Sequence, residues 1–269
     1  MSEFDIFFRQ LEKEKDITIL GAWDGGSISW NLDGENSDYD IRFCFIQPYS
    51  NYVAVNKYVE SIVTRGDKLE NLQDDLTNVA PDKVELHGWD LKRFKELLLD
   101  NNPSVLEALA TNEVYQSHPV FDELAEHCLE QAHPIQLFNH YQSSANKNYK
   151  KYIEDDSEPT VKKTLFIIRS MLMGEFIRQH NRFPDELNIT KIHESISEFP
   201  IEHGEIEPLI QKKKSGNGGE YIGNRFQSSI EEFVSFELEY SNHIPEQTVN
   251  NEFIDRKIIE IIRTSTFLR

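Results

Sequence analysis

The stretch GGSISWNLDGENSDYDIRF, residues 25–43, decides how this sequence is interpreted. Two glycines and a serine come first, a polar turn follows, and Asp38 and Asp40 stand in front of an apolar run. Residues two apart on a strand project from the same face, so a strand that begins near Asp38 places both carboxylates side by side. Adjacent carboxylates repel each other unless a cation lies between them. The pattern therefore predicts a divalent metal site at the start of a strand.

The loop in front of these aspartates suits a phosphate group. Gly25 and Gly26 allow close backbone approach to a ligand and a positive φ, and successive N–H groups in such a turn form a concave anion site. Ser27 adds a hydroxyl donor. Mg²⁺ takes carboxylate oxygens and usually a substrate phosphate as well. We therefore expect Mg²⁺ (or Mn²⁺) and a nucleoside triphosphate as ligands.

A third carboxylate is expected from the short alternating run KVELH, which ends at His87. In this run Glu85 lies between Val84 and Leu86, two residues that a half-buried strand would bury. If this strand neighbours the strand that carries Asp40, Glu85 reaches the same face, and His87 shares that face. The alternative is an exposed strand glutamate with no role in metal binding.

Arg42 follows the aspartates on the same predicted face. It could approach a phosphate or form an ion pair with the aspartates, and the ion pair is the favoured interpretation. The two amphipathic runs that begin at Leu165 and Ile254 are best explained as core.

The order of predicted elements indicates an α+β fold. Strands are predicted over 16–22, 39–47 and 83–87, and helices over 2–14, 90–100 and 104–112. From Pro119 onward only helical periods are found, over 120–131, 135–153, 160–180, 205–214, 227–240 and 252–263. This division predicts a domain with a small mixed sheet over 1–115 and an all-helical domain over 116–269 that closes a cleft.

The composition limits the classes of function. The chain has 28 basic and 47 acidic residues, a net charge of -19, so a role in nucleic-acid binding requires a local basic patch. Aromatic residues are plentiful enough for a folded core. We find no signal peptide and no apolar run that could span a membrane, and we expect a cytoplasmic protein. Cys44 and Cys128 are interpreted as buried free thiols, as in a reducing compartment.

The spacing of the motif resembles the signature of DNA polymerase beta superfamily nucleotidyltransferases, in which Gly-Ser and a spacer precede Asp-x-Asp. Here ten residues separate Gly26-Ser27 from Asp38-Tyr39-Asp40. The closer resemblance is to the predicted nucleotidyltransferases linked to RNA repair, the RlaP-like family. The stretches that carry it are Ala22–Asn31, Ser37–Arg42, Glu85–Leu91 and Asn102–Glu107.

The helical half resembles the same family more loosely. Lys162-Lys163 with Arg169 matches a Lys-Lys element, and residues 211–220 match a late Lys-Lys-x-Gly stretch. If the helices that carry Lys147, Lys163 and Arg169 line the cleft, they supply a positive wall for a triphosphate or an RNA end. A solvated helical face is the alternative.

The resemblance implies transfer of a nucleoside monophosphate from an NTP to an acceptor hydroxyl, with release of pyrophosphate. It implies that Asp38, Asp40 and Glu85 hold the metal and that Gly26 and Ser27 hold phosphates, with Lys147, Lys163 and Arg169 also binding the nucleotide. The implied acceptor is RNA or tRNA, although a protein or a small molecule is equally compatible with the residues.

Three residues depart from the family pattern: Ile28, Thr164 and Glu85 stand where Arg, Tyr and Asp are usual. Ile28 and Glu85 favour one alternative, a non-catalytic nucleotide-binding regulatory protein. An enzyme that adds AMP to proteins is a further alternative. The oligomeric state and the base preference stay open.

Overall fold

The structure is a computed structural model that describes residues 3–72, 78–154, 159–236 and 250–265. The last residues of the helix predicted over 227–240 lie outside this part of the chain. The fold is α+β, as predicted, with a mixed sheet in the N-terminal part and helices after it. Among the described residues, no helix combines the length and the apolar character needed to cross a membrane.

The five strands are β1 (Thr18–Asp24), β2 (Tyr39–Ile46), β3 (Ser61–Arg65), β4 (Val84–Asp90) and β5 (Val114–Ser117). Six helices precede residue 150: α1 (Asp5–Lys15), α2 (Tyr49–Val53), α3 (Leu91–Leu99), α4 (Pro103–Ala110), α5 (Val120–Glu130) and α6 (Pro134–Tyr149). A π-helical turn, Lys150–Glu154, extends α6. The later helices are α7 (Val161–His180), α8 (Ile189–Ser195), α9 (His203–Lys214), α10 (Gln227–Ser235) and α11 (Asn251–Thr264).

The strand order in the sheet is β3-β4-β2-β1-β5. The central pair, β2 and β4, is parallel, and the other three pairs are antiparallel. The parallel register sets Asp40 opposite Glu85 and Arg42 opposite His87. Partners in such a register project from the same face of the sheet, so these four side chains share one face.

Helix α1 covers the other face of the sheet. Its apolar residues Phe7, Phe8 and Leu11 recur at helical spacing and are almost fully buried. They belong to one core with Ile41 and Phe43 of β2. Each such buried side chain contributes about 1.5–3 kcal/mol relative to an exposed one, which orients the sheet against this helix.

The polar face is covered over part of its area by α3, which follows β4, and by α5, which follows β5. Trp23 of β1 stacks on Phe94 of α3 at 6.0 Å between centroids and meets Phe121 of α5 edge-on at 5.0 Å. The side chain of Asp90 caps α3 by accepting a hydrogen bond from the Lys92 N–H.

The described residues form two compact units. The first comprises 3–29, 37–72, 78–128 and 250–265, and the second comprises 30–36, 129–154 and 159–236. Helix α7 dominates the second unit, where Leu165, Ile168, Leu172 and Phe176 are buried, as predicted for a core stripe. The domain boundary placed near residue 115 stays a prediction.

Two strands and two helices were not predicted. Strand β3 buries only Ile62 and β5 is four residues long, and both lie at the edges of the sheet, where little apolar patterning is needed. Helices α2 and α8 span only five and seven residues, too few for a clear helical period. Both cysteines are free and buried, as predicted, and burial raises the pKa of Cys128 to about 12.

The packing of Gly88 on Phe43 gives a test of the central strand pair. A Cβ at Gly88 would lie 2.1 Å from a ring carbon of Phe43, which is fully buried. We expect Gly88→Ala to lower the free energy of unfolding by about 1–3 kcal/mol, the usual cost of overpacking a core. Urea denaturation measures the loss. In the double variant with Phe43→Leu the clash is relieved, and the combined loss should be smaller than the sum of the single losses. Additive losses would contradict the contact.

Candidate active site

Asp24, the last residue of β1, holds the glycine-rich loop in place. Its side chain is fully buried, and Oδ1 accepts hydrogen bonds from the backbone N–H groups of Gly26 at 2.8 Å and Ser29 at 2.9 Å. The Ser29 hydroxyl lies 2.9 Å from the same oxygen, and the Tyr115 hydroxyl donates to Oδ2 at 3.3 Å. The loop conformation therefore depends on one carboxylate.

Burial raises the pKa of the Asp24 carboxyl above its usual value, and the negative charge of Asp40 adds to that effect. The hydrogen bonds from Ser29 and Gly26 act in the opposite direction. Asp24 thus lies close enough to Asp40 for the two charges to interact.

Gly25 and Gly26 pack directly on the side chains of β2. The Gly25 N–H donates to the Asp40 carbonyl at 2.7 Å. A Cβ at Gly26 would lie 2.4 Å from Asp40 Oδ2, and one at Gly25 would lie 2.5 Å from Arg42 Cγ. The expectation of a positive φ was wrong, since Gly216 and Gly223 are the glycines with that conformation in the described residues. Close approach is what requires glycine here.

The three carboxylates predicted to hold a metal lie at the same end of the sheet. Asp38 is exposed and stands one residue before β2, while Asp40 is the second residue of the strand and half-buried. Glu85 is exposed and pairs with Asp40 across the parallel register. In the described part of the chain no N–H or O–H group donates to any of these three side chains, so their oxygens are available to a ligand.

The same three carboxylates do not form a closed metal cage. Within residues 3–72, 78–154, 159–236 and 250–265, no group of three or more acidic, histidine or cysteine side chains is placed to hold a metal ion. Mg²⁺ does not require such a cage, because one or two carboxylates together with substrate phosphates and water complete its octahedron. Asp38 and Asp40 fit that simpler donor set, and the role of Glu85 as a metal ligand stays a prediction.

Asp90, in the same sheet, is a carboxylate whose oxygens already accept hydrogen bonds. It is fully buried, and its oxygens accept hydrogen bonds from the hydroxyl groups of Tyr52 and Tyr58, the Gln47 amide and the Lys92 N–H. This network ties the segment before β3 to the start of α3. Asp24 and Asp90 therefore have structural roles, in contrast to Asp38, Asp40 and Glu85.

Arg42 and His87 lie next to the carboxylates on the polar face. No carboxylate of the described residues forms an ion pair with Arg42, so the ion pair that the sequence favoured is not formed. Burial lowers the pKa of His87, and the nearby charge of Arg42 lowers it further. The guanidinium group of Arg42 is thus a cation at the site without an acidic partner in that part of the chain.

The other predicted nucleotide-binding residues lie in the second unit. Lys147 is exposed on α6, and Lys163 Nζ lies 5.6 Å from the centre of the Tyr152 ring. Arg169 lies over the rings of Trp30 at 4.7 Å and Phe166 at 5.2 Å. Cation–π contacts leave guanidinium N–H groups available for a phosphate, so these contacts do not contradict the predicted roles.

The cations at the end of α9 have partners within the second unit. Lys212 pairs with Glu220, and Lys214 Nζ donates to the Asn31 side chain at 2.7 Å. Gly34 lies against the backbone of Lys214, since a Cβ there would be 2.3 Å from the Lys214 carbonyl oxygen. These contacts hold residues 30–36 on the second unit.

Asp24 is the residue that the sequence analysis missed. Its position directly before Gly25-Gly26 is the signal that the sequence carries, and that position does not reveal that the side chain is buried. The strand was predicted to end at Ala22, which left Asp24 in a loop. In the structure β1 continues to Asp24, and its side chain is buried rather than solvated.

Removal of the Asp24 carboxylate tests its structural role. Asp24→Ala leaves buried N–H groups of Gly26 and Ser29 without an acceptor, at about 1–3 kcal/mol for each. We expect the free energy of unfolding, measured in urea, to fall by about 2 kcal/mol or more. Asp24→Asn keeps one acceptor oxygen and should cost less than half as much. Equal losses for the two variants would contradict the role.

The raised pKa of Asp24 determines how the difference in stability between the natural protein and Asp24→Asn depends on pH. The folded state raises the Asp24 pKa, so the folded state binds a proton more readily than the unfolded state does. The cost of the buried charge is therefore absent in acid and appears as the pH rises through the raised pKa. The stability of the natural protein relative to Asp24→Asn should increase as the pH falls through that range.

Comparisons with known proteins bear on this site. The family described as RlaP, the RNA repair pathway DNA polymerase beta family, matches residues 3–259. A relative, the uncharacterized protein YcgL of Bacillus subtilis (strain 168), is 25% identical over 209 residues, which are 77% of this chain and 74% of the relative. A nucleotidyltransferase-like protein from Exiguobacterium sibiricum 255-15 shares 9% identity over 91% of this chain and 84% of its own, with a TM-score of 0.28. The family match covers nearly the whole chain, including the loop and carboxylates described above, and the chain belongs to the RNA repair pathway DNA polymerase beta family.

Proposed function

We propose that this protein is a metal-dependent nucleotidyltransferase. It moves a nucleoside monophosphate from an NTP to an acceptor hydroxyl, with RNA or tRNA as the favoured acceptor. Membership of a DNA polymerase beta family supports this class of reaction. The observation that carries the proposal is a set of three carboxylates, Asp38, Asp40 and Glu85, to which no group of the described residues donates a hydrogen bond. They lie beside a loop whose Gly26 packs on Asp40.

The loop is suited to the leaving group. The backbone of Gly26 and the hydroxyl group of Ser27 can donate to the β- and γ-phosphates, because Asp24 fixes the turn before substrate arrives. Arg42 adds a positive charge next to the loop, since its side chain lies against Gly25. These groups stabilise the negative charge that develops on pyrophosphate as the bond to the α-phosphorus breaks.

The proposed transfer is an in-line displacement at the α-phosphorus. The acceptor oxygen forms a new bond to phosphorus, the bond to the bridging oxygen of the β-phosphate breaks, and pyrophosphate leaves with that electron pair. The acceptor proton passes to Asp40 or Glu85, the two carboxylates expected nearest the acceptor. A divalent ion on Asp38 and Asp40 would supply charge neutralisation at the transferring group.

One observation favours a second candidate function. The described residues hold no group of three side chains placed around a metal ion, and Glu85 and Ile28 depart from the family pattern. A protein that binds NTP and has lost turnover would fit these features. It would bind a non-hydrolysable NTP with Mg²⁺ and release no pyrophosphate from a hydrolysable one.

The reaction is tested with each of the four NTPs, labelled at the α-phosphate, together with Mg²⁺ and RNA, tRNA or protein acceptors. We expect labelled acceptor and an equal amount of pyrophosphate. Asp40→Asn should lower the rate by at least about 100-fold, the scale of losing one electrostatic contact in the transition state. Gly26→Ala should be similarly inactive, because its Cβ would displace the Asp40 carboxylate.

Two matched controls belong to this experiment. Asp82→Asn changes an exposed aspartate whose backbone carbonyl, rather than its side chain, accepts a bond from Arg65. Gly204→Ala adds a Cβ in open space. Both should transfer label at the natural rate. Full activity of Asp40→Asn, or nucleotide binding without pyrophosphate release in the natural protein, would overturn the proposal.

The predicted nucleotide-binding residues of the second unit are tested by affinity. We expect Lys163→Ala and Arg169→Ala each to weaken binding of a non-hydrolysable NTP with Mg²⁺ by about tenfold, the loss of one charge-assisted contact to phosphate. Lys147→Ala should weaken it less, because this exposed side chain is not held in place. Calorimetric titration measures the change. The control is Arg182→Ala, since Arg182 is already paired with Asp185 in the same unit. Unchanged affinity in both main variants would remove Lys163 and Arg169 from the binding site.

A further inference from the structure

A polar cleft lies near the carboxylates in the first unit, and the proposed reaction does not use it. It measures about 260 Å³ and its walls include His87 and Trp89 of β4, Ser61 of β3, Arg93 of α3, and Asn102 and Ser104 at the start of α4. We propose that this cleft binds the terminal nucleoside of the acceptor strand, through its base and with its hydroxyl group directed at Asp40 and Glu85. The inference rests on the proposed function and assigns a substrate subsite to it.

The position of the cleft on the sheet supports this assignment. Residues Glu85, His87 and Trp89 follow one another along a single face of β4, and they pair with Asp40, Arg42 and Cys44 of β2. With a rise of about 3.3 Å per residue, His87 lies about 7 Å beyond Glu85 along the strand. A group bound at His87 is thus about one nucleoside away from the carboxylates.

The side of Asp40 on which the cleft lies also supports an acceptor site. The sheet order places β1, with its glycine loop, on one side of β2, and β4 and β3 on the other. In-line transfer at phosphorus puts the attacking and leaving oxygens on opposite sides of the reacting centre. If pyrophosphate leaves towards the loop at Gly26, the acceptor enters from the side of β4, where the cleft lies.

The charge of the cleft favours a nucleoside over a polyphosphate. Its one cation, Arg93, is already paired with Glu60 at 2.9 Å and with Glu96 at 3.2 Å. A polyphosphate therefore finds no excess positive charge among these lining residues. The volume is also just below the range of about 300–1,000 Å³ typical of pockets for drug-sized ligands, which suits one nucleoside rather than a nucleoside triphosphate.

The chemistry of the lining side chains suits a nucleoside base. His87 and Trp89 form a ring pair 5.0 Å apart, which offers aromatic surface to a base. Asn102 uses its Oδ1 to accept from the Ser104 N–H, which leaves its amide N–H group for a base edge. Ser61 and Ser104 are exposed at the cleft and add hydroxyl groups. Rings, an amide and hydroxyls are the groups that recognise unstacked bases at strand ends.

The first test is binding without turnover. The ¹⁵N-labelled full chain is titrated with adenosine, cytidine, guanosine or uridine, and separately with tripolyphosphate. The indole N–H signal of Trp89 is assigned from its loss in Trp89→Phe. We expect at least one nucleoside to shift this signal saturably, while tripolyphosphate leaves it in place. No shift with any nucleoside, or a shift with tripolyphosphate alone, would overturn the proposal.

The second test separates the cleft from the reaction. Ser104→Trp fills the cleft from an exposed position, and Glu126→Trp adds the same side chain at an exposed position on α5 outside the cleft. Ser104→Trp should raise the KM for the RNA acceptor at least tenfold with the NTP affinity unchanged. Glu126→Trp should change neither value. An unchanged acceptor KM in Ser104→Trp, or label transferred to protein alone, refutes the acceptor subsite.

The outcomes also separate this inference from the proposed function. If the natural protein transfers label to no acceptor, the proposed function fails, and a nucleoside shift of Trp89 still identifies the cleft as a nucleoside site. If transfer occurs while the cleft variants behave like the natural protein, the function stands and the cleft assignment fails.

Discussion

The parallel pairing of β2 with β4 is the constraint on which the site depends. Partners in this register share a face, so Asp40 and Glu85 project together while Tyr39 and Ile41 point the other way. A shift of β2 by one residue would exchange the two faces and press Asp40 into the core under α1. The buried phenylalanine and leucine side chains of α1 prevent that shift, because they need an apolar partner surface. Hydrophobic packing on one face thus determines which residues are available for chemistry on the other.

The carboxylates of the sheet divide by their surroundings. Asp24 and Asp90 are the last residues of their strands and are buried, and a buried charge is tolerated only where its oxygens accept hydrogen bonds. Each of them anchors the segment that follows, namely the glycine loop after Asp24 and helix α3 after Asp90. Asp38, Asp40 and Glu85 lack such donors in the described chain.

Sequence patterns predicted the parts of this fold that carry strong local signals. The apolar runs at β1 and β2, the alternation around Glu85 and the helical periods after Pro119 all correspond to elements of the structure. The edge strands β3 and β5 escaped prediction because an edge strand buries few side chains. Asp38, Asp40 and Gly26 could be singled out from residue type and spacing. The support from Asp24 and the cleft beside His87 could not, because both depend on contacts between residues distant in the chain, such as Tyr115 with Asp24.

The net charge of -19 limits how the proposed acceptor can be recognised. Proteins that bind nucleic acid through phosphates gain affinity from released counterions, and this requires clustered cations. In the first unit Arg93 is neutralised by two glutamates, and the carboxylates near the cleft repel phosphate groups. Contacts to one nucleoside, through stacking and hydrogen bonds, do not depend on attraction to phosphate. An acidic protein can therefore select a strand end by its terminal nucleoside, and the same acidity disfavours the continuous duplex, whose phosphates offer a high charge density and no exposed base.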